Sequence, residues 1–293
     1  MKKLLFVLNP LAGTKRAAKY LADIVAVFNR AAFDVTVHIT AHQGDCITAV
    51  RRLADSMDLV VCCGGDGTFN ETVTGILQSG VQVPVGYIPA GSTNDFARSL
   101  ELESDFVKAA EQIVRGQIRE YDIGLFGNRH FTYVASFGVF TRASYSTPQN
   151  LKNIMGHAAY VLEGIQELGQ IKPVRVSIDL DGEQIEDEFL FGAVCNSTSI
   201  AGILTLDPKQ VDMSDGLFEV LLIRPPKDLT DLSKCIQALT RQTYDSPMIT
   251  FRSAKQLQVR SEKELPWSLD GEKESGSREV TIENLHRAIR LVK

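Results

Sequence analysis

The sequence predicts an α/β N-terminal half with a mostly parallel sheet, followed by a mainly antiparallel β-sandwich with helical insertions. A change of pattern near residues 121–124 carries this expectation. Before it, short continuous apolar runs alternate with segments of helical periodicity, as in βαβ units whose strands are covered on both faces. After it, short alternating segments sit between Asp-Gly turns, which are hairpin signals. The chain of 293 residues is long enough for about two domains. The expected bodies are 1–122 and 123–285, with the tail from about 286 to 293 free to return to the first.

In order, residues 4–8 form an apolar strand that ends at Asn9-Pro10. Ala17, Tyr20, Leu21, Ile24 and Phe28 recur at helical spacing. Val35, Val37 and Ile39 alternate as in a strand, and Ile47, Val50 and Leu53 mark a second helix. Residues 59–63 form a third strand running into Gly64-Gly65-Asp66-Gly67, with a helix expected from about 69 to 78. Residues 85–88 form a fourth strand, followed by helix to about 115. Strands are then expected at 131–137, 174–180, 189–196, 217–223, 257–260, 267–270 and 279–282. Asp181-Gly182, Asp215-Gly216 and Asp270-Gly271 punctuate them. Helices are expected at about 151–168 and 229–240, and a closing strand at 288–292.

Hydrophobic residues make up 44% and charged residues 23% of the chain, which excludes a disordered or fibrous class. The net charge of −5 argues against a nucleic-acid partner. Five cysteines without a C-x-x-C pair argue against a disulfide framework. The apolar run at 4–8 is too short for a signal peptide, and the charge-free run 72–94 contains two prolines, so no transmembrane segment is expected. The expected location is cytoplasmic, with contact at the inner membrane surface left open. The five histidines show no zinc spacing, and no nucleophile elbow surrounds Ser92 or Ser136.

The loops 9–13, 64–68 and 90–94 each follow a strand of the first half. In a parallel sheet they share one edge, where ligands bind. Their Gly, Ser, Thr and Asn residues let backbone N–H groups approach phosphate oxygens. No Walker loop, dinucleotide fingerprint or protein-kinase signature is present. Asp66 is the unusual residue, since an anion in a phosphate cradle needs a bridging cation or a proton to handle. A helix cap or turn role accounts for it equally well.

Gly64-Gly65-Asp66-Gly67-Thr68-Phe69-Asn70-Glu71 closely resembles the G-G-D-G-T-x-N-E signature of the diacylglycerol kinase catalytic domain. Pro89-Ala90-Gly91-Ser92-Thr93-Asn94-Asp95-Phe96-Ala97 resembles its P-x-G-T-x-N-D-F-A segment, and Asn9-Pro10-Leu11-Ala12-Gly13 its opening motif. The resemblance runs over essentially the whole chain and is to the bacterial soluble lipid kinases. It implies a first domain like those of NAD kinases and phosphofructokinases. It also implies ATP and Mg²⁺ as cofactors and a lipid acceptor such as diacylglycerol at a membrane surface, with a homodimer left open. The implied nucleotide-binding residues are Asn9, Pro10, Gly13, Thr40, Gly64, Gly65, Asp66, Gly67, Thr68, Asn70, Glu71, Gly91, Thr93 and Asn94.

In the second half, Asp212, Asp215 and the Leu217 carbonyl match the family's metal motif, although a plain β-turn also explains Asp215-Gly216. Asp270-Gly271-Glu272 matches a motif whose Glu is the general base, which makes Glu272 and Asp66 the implied catalytic residues. Asp122 matches an interdomain motif and is expected in a polar network near the metal. Thr14 stands where some members carry Lys, with Lys15 one position later. Phe137, Phe140 and Tyr145 with Arg142 could line a lipid mouth, but the core reading is the stronger. Phosphatidylglycerol is an alternative acceptor. The rival readings are an NAD or polyol kinase and a non-catalytic nucleotide or lipid sensor.

Overall fold

A computed structural model describes residues 1–138, 172–200 and 204–293. The helix expected over 151–168 and the residues Phe140, Arg142 and Tyr145 lie outside the described residues. The chain divides into two compact units, Met1–Ile123 with His286–Lys293, and Gly124–Leu285.

The first unit is an α/β layer structure. Strands β1 (Lys2–Leu8), β2 (Phe33–Ile39), β3 (Leu59–Gly64) and β4 (Val85–Pro89) run parallel in the order β2-β1-β3-β4. β1 from Leu4 onward and β3 up to Cys63 are continuously apolar because helices cover both of their faces. One face places Leu4, Phe6, Leu8, Val61 and Ile88 against helices α1 (Leu21–Arg30) and α5 (Phe106–Arg115). α2 (Asp45–Leu53) and α3 (Asp66–Ser79) pack on each other and on the strands. A Cβ on Gly75 of α3 would lie 2.8 Å from Val50 Cβ, so the α2–α3 contact depends on that glycine.

The single helix expected from Ala17 is a 3-10 turn at Ala17–Tyr20 followed by α1. The helix expected up to residue 115 is broken into α4 (Asp95–Ser99) and α5. Asp105 caps α5 by accepting the N–H groups of Val107 and Lys108 at 3.1 and 3.0 Å. Strand β5 (Ile118–Phe126) leads out of the unit.

The second unit is antiparallel. β6 (Arg129–Phe131) pairs with β5, and β7 (Val134–Gly138) pairs with β10 (Phe191–Cys195). β8 (Val174–Leu180) and β9 (Glu183–Phe189) form a hairpin through Asp181-Gly182. β11 (Ser199–Ile200) and β12 (Leu204–Thr205) form a short separate pair. β13 (Phe218–Ile223) lies between β10 and β14 (Ile249–Ala254), and α6 (Leu229–Thr240) precedes β14.

The strands expected at 257–260 and 267–270 are one strand, β15 (Gln256–Leu269). Its first half pairs with β8 and its last residues with β7. Its ladder to the next strand shifts register between Leu265 and Trp267. Pro266 sits there without an N–H to donate. β16 (Glu272–Val292) joins the expected 279–282 and 288–292 strands. It pairs with β15, and after re-entering the first unit Leu291 pairs with Val85 in parallel. Trp267 is the centre of the second core, with Phe126 and Phe137 edge-on at 5.0 and 4.9 Å. Phe137 is thus a core residue.

All five cysteines are free and buried. Among the described residues, no helix is long and apolar enough to cross a membrane.

Candidate functional site

The three glycine-bearing loops meet at the carboxyl ends of β1, β3 and β4. Backbone ladders run past the strand ends. Asn9 N–H donates to Cys63 O at 2.9 Å, Ala90 N–H to Gly64 O at 2.6 Å and Thr40 N–H to Leu8 O at 2.9 Å. The loops touch through glycine. A Cβ on Gly13 would fall 2.3 Å from Ala90 O, and one on Gly91 would fall 2.6 Å from Gly65 Cα. These approaches admit no side chain.

Side chains stitch the same region. Asn9 Nδ2 donates to Thr68 Oγ1 at 2.9 Å, while Asn9 Oδ1 accepts Leu11 N–H at 3.0 Å. Asn94, with φ +53°, accepts Gly91 N–H at 2.8 Å and donates to Gly91 O at 3.0 Å. Asp66 is the first residue of α3, and its Oδ1 accepts Phe96 N–H at 3.4 Å. The first-turn amides of a helix have no intrahelical acceptor and carry the positive end of its dipole. The rim therefore offers N–H groups, hydroxyls and a helix N-terminus, which is chemistry for a polyphosphate.

The predicted nucleotide residues do not all face one way. Glu71 Oε1 accepts Gly44 N–H at 2.7 Å, tying α3 to the start of α2. Asn70 Oδ1 accepts Thr74 Oγ1–H at 3.5 Å. Thr40 Oγ1 donates to Leu8 O at 3.4 Å. Pro10 and Thr93 lie within the loops themselves, Gly67 is the second residue of α3, and Lys15 is exposed with φ +59°. Asp122 is fully buried and accepts Arg287 N–H at 2.7 Å, which ties β5 to the returning end of β16.

In the second unit, Asp270 and Gly271 have φ +49° and +81° and turn β15 into β16. The Asp270 carboxylate accepts Thr132 N–H at 2.6 Å, Thr132 Oγ1–H at 2.8 Å, Tyr133 N–H at 2.9 Å and Val134 N–H at 3.1 Å. Burial pushes its carboxyl group up, and these donors offset only part of that push. Glu272 follows on β16, about half exposed, with Arg129 Nη2 3.6 Å away. Arg129 also pairs with Glu274. Sequence reasoning missed Arg129 and the Thr132–Val134 clamp.

The acidic segment before β13 turns at Asp215-Gly216, with Gly216 at φ +85°. Asp212 Oδ1 accepts Ser214 N–H at 3.0 Å, and Asp215 Oδ1 accepts Leu217 N–H at 2.9 Å. Leu217 O accepts from Asn284 Nδ2 at 3.1 Å. Glu219, on β13, is pushed up to about 8, first by burial and then by the charge of Asp215, with a smaller push from Asp212. Its position was legible as one carboxylate in an apolar run. Among the described residues no three His, Cys, Asp or Glu side chains converge on a metal position. Two carboxylates and a carbonyl remain, beside the buried atoms Glu219 Oε2 and Asn284 Oδ1, which have no hydrogen-bond partner among the described residues. That donor set fits a hard divalent cation.

Comparison with known proteins agrees with this architecture. Residues 3–126 match the diacylglycerol kinase catalytic domain, and residues 133–293 match the YegS C-terminal NAD kinase beta sandwich-like domain. The chain is 31% identical to a diacylglycerol kinase of Bacillus subtilis (strain 168), covering 100% of this chain and 96% of that protein. It is 32% identical to a diacylglycerol kinase of Staphylococcus saprophyticus, over 92% of this chain and 89% of the other. A crystal structure of a Bacillus anthracis str. Sterne protein assigned as a diacylglycerol kinase superposes with a TM-score of 0.82 at 26% identity, covering 99% and 94% of the two chains. The fold, the three loops and these full-length matches together show that the chain belongs to the diacylglycerol kinase catalytic domain family, in the form that carries a YegS-type C-terminal domain.

Proposed function

We propose that this chain is an ATP-dependent lipid kinase that phosphorylates the free hydroxyl of diacylglycerol, giving phosphatidic acid. The convergence of loops 9–13, 64–68 and 90–94 through Gly13, Gly65 and Gly91 carries the reading. Those loops and the α3 N-terminus hold the phosphates of ATP, with Asp66 near the β- and γ-phosphates. Mg²⁺, when bound, neutralises charge on the transferring phosphoryl group. Glu272 accepts the proton of the attacking hydroxyl as the new O–P bond forms and ADP leaves. Asp212, Asp215 and the Leu217 carbonyl hold a second, structural divalent cation.

The acceptor is membrane-borne, so the reaction belongs at a membrane surface. Relatives named as diacylglycerol kinases match nearly the full chain, which favours this acceptor over NAD or a polyol.

Phosphate transfer from labelled ATP into a panel of diacylglycerol, phosphatidylglycerol and NAD tests the acceptor. The expected result is label in phosphatidic acid, dependent on detergent micelles or liposomes and lost in Asp66→Ala. Label in phosphatidylglycerol alone would reassign the acceptor. Saturable ATP binding with no transfer to any of them would favour a nucleotide sensor.

A further inference from the structure

The loop before β13 is flanked by two buried acceptors that no described group uses. Glu219 is 2% exposed, and its Oε2 has no hydrogen-bond partner among the described residues. Asn284 is 5% exposed and donates through Nδ2 to Leu217 O at 3.1 Å. A carbonyl can only accept, so this bond fixes the amide orientation. It leaves Asn284 Oδ1, also without a partner among the described residues, beside the same loop. Buried acceptors are costly unless something donates to them.

The cation position assigned above offers three protein oxygens, from Asp212, Asp215 and the Leu217 carbonyl. A small hard cation such as Mg²⁺ prefers six oxygens and keeps several waters. Cation-bound water is a strong donor, which is the partner the two orphan acceptors lack. Glu219 does not join Asp212 and Asp215 in a three-carboxylate cluster among the described residues, so it is placed in the outer sphere.

We propose that Glu219 Oε2 and Asn284 Oδ1 are outer-sphere acceptors that orient water on a divalent cation held by Asp212, Asp215 and the Leu217 carbonyl. The proposal rests on that cation-site reading. Asn284 then serves the site twice, aiming the ligand carbonyl through Nδ2 and a water through Oδ1.

The test uses the full chain and Mn²⁺ as a spectroscopic stand-in, with binding read by electron paramagnetic resonance and calorimetry. Asp215→Asn is expected to abolish binding at this site. Glu219→Gln and Asn284→Ala are expected to weaken it about 10- to 100-fold, the usual effect of removing outer-shell partners. Affinity within about twofold of wild type in both variants, with Asp215→Asn still defective, would overturn the proposal and leave the site standing. Wild type that binds no Mn²⁺ would remove the site itself. Far-UV circular dichroism without cation shows whether each variant folds. A second measurement needs no variant: ¹⁷O-water hyperfine coupling on wild-type Mn²⁺ should show at least two bound waters, and a dry cation would overturn the proposal.

Discussion

The Asp270 carboxylate accepts the backbone N–H of Thr132 at 2.6 Å, across 138 residues of sequence. Three further donors from Thr132, Tyr133 and Val134 complete the clamp. Asp270 N–H donates in turn to Val134 O at 2.9 Å, so the turn is tied to the start of β7 from both sides. The direction in which Glu272 leaves the turn is set by this clamp and not by the exposed side chain itself.

Asp270→Asn is expected to destabilise the protein by about 1–3 kcal/mol, because an amide has a single oxygen and its NH₂ would face buried donors that are left unpaired. Urea unfolding followed by Trp267 fluorescence checks this. A midpoint equal to that of wild type would show that the buried clamp is energetically neutral.

Gly91→Ala is expected to cost about 1–3 kcal/mol by overpacking and to weaken ATP binding, since the new Cβ would fall 2.6 Å from Gly65 Cα. Gly80→Asn is the control. Gly80 ends α3 at φ +73° with open space where a Cβ would go, and Asn tolerates that conformation. It should shift stability by less than about 1 kcal/mol. Thermal melts and ATP titration of both variants measure the contrast.

Acid is expected to loosen the 40–44 loop through Asp45. Its Oδ2 accepts Ala41 N–H at 2.8 Å and lies 3.3 Å from His38 Nε2. The Ala41 bond, and after it the His38 charge, hold this carboxyl below its ordinary value. A carboxylate lowered on folding stabilises fully above its unfolded value, about 3.9, and loses that contribution as pH falls through the lower folded value. Amide exchange at Ala41 should therefore accelerate, relative to its intrinsic rate, below about pH 4 in wild type. In Asp45→Asn it should be fast throughout and free of this step. A step that persists in the variant would assign the effect elsewhere.

Much of the first unit was legible because β1, β3 and β4 are apolar runs flanked by turn residues, and a parallel sheet places their ends together. Legibility fell where local pattern was weak. β9 carries Glu183, Glu186, Asp187 and Glu188 and reads as a loop, yet charge is how an edge strand discourages further pairing. β15 reads as two strands because Pro266 and the charged stretch before it interrupt the alternation. Glu272 was recognisable from its motif, but its supports were not. Arg129 and Thr132 are set beside the turn by sheet pairing over more than a hundred residues, which no local period records. Glu219 left a trace as a charge in an apolar strand, while Asn284 left none.

Phosphate transfer to diacylglycerol by Glu272→Gln, measured beside its ATP affinity, tests the central claim most directly. Loss of a general base predicts transfer reduced by about 10²- to 10⁴-fold. ATP binding should be unchanged, because the glycine loops of the first unit are untouched. Full transfer by this variant, or a wild-type protein that binds ATP and phosphorylates no lipid, would contradict the account.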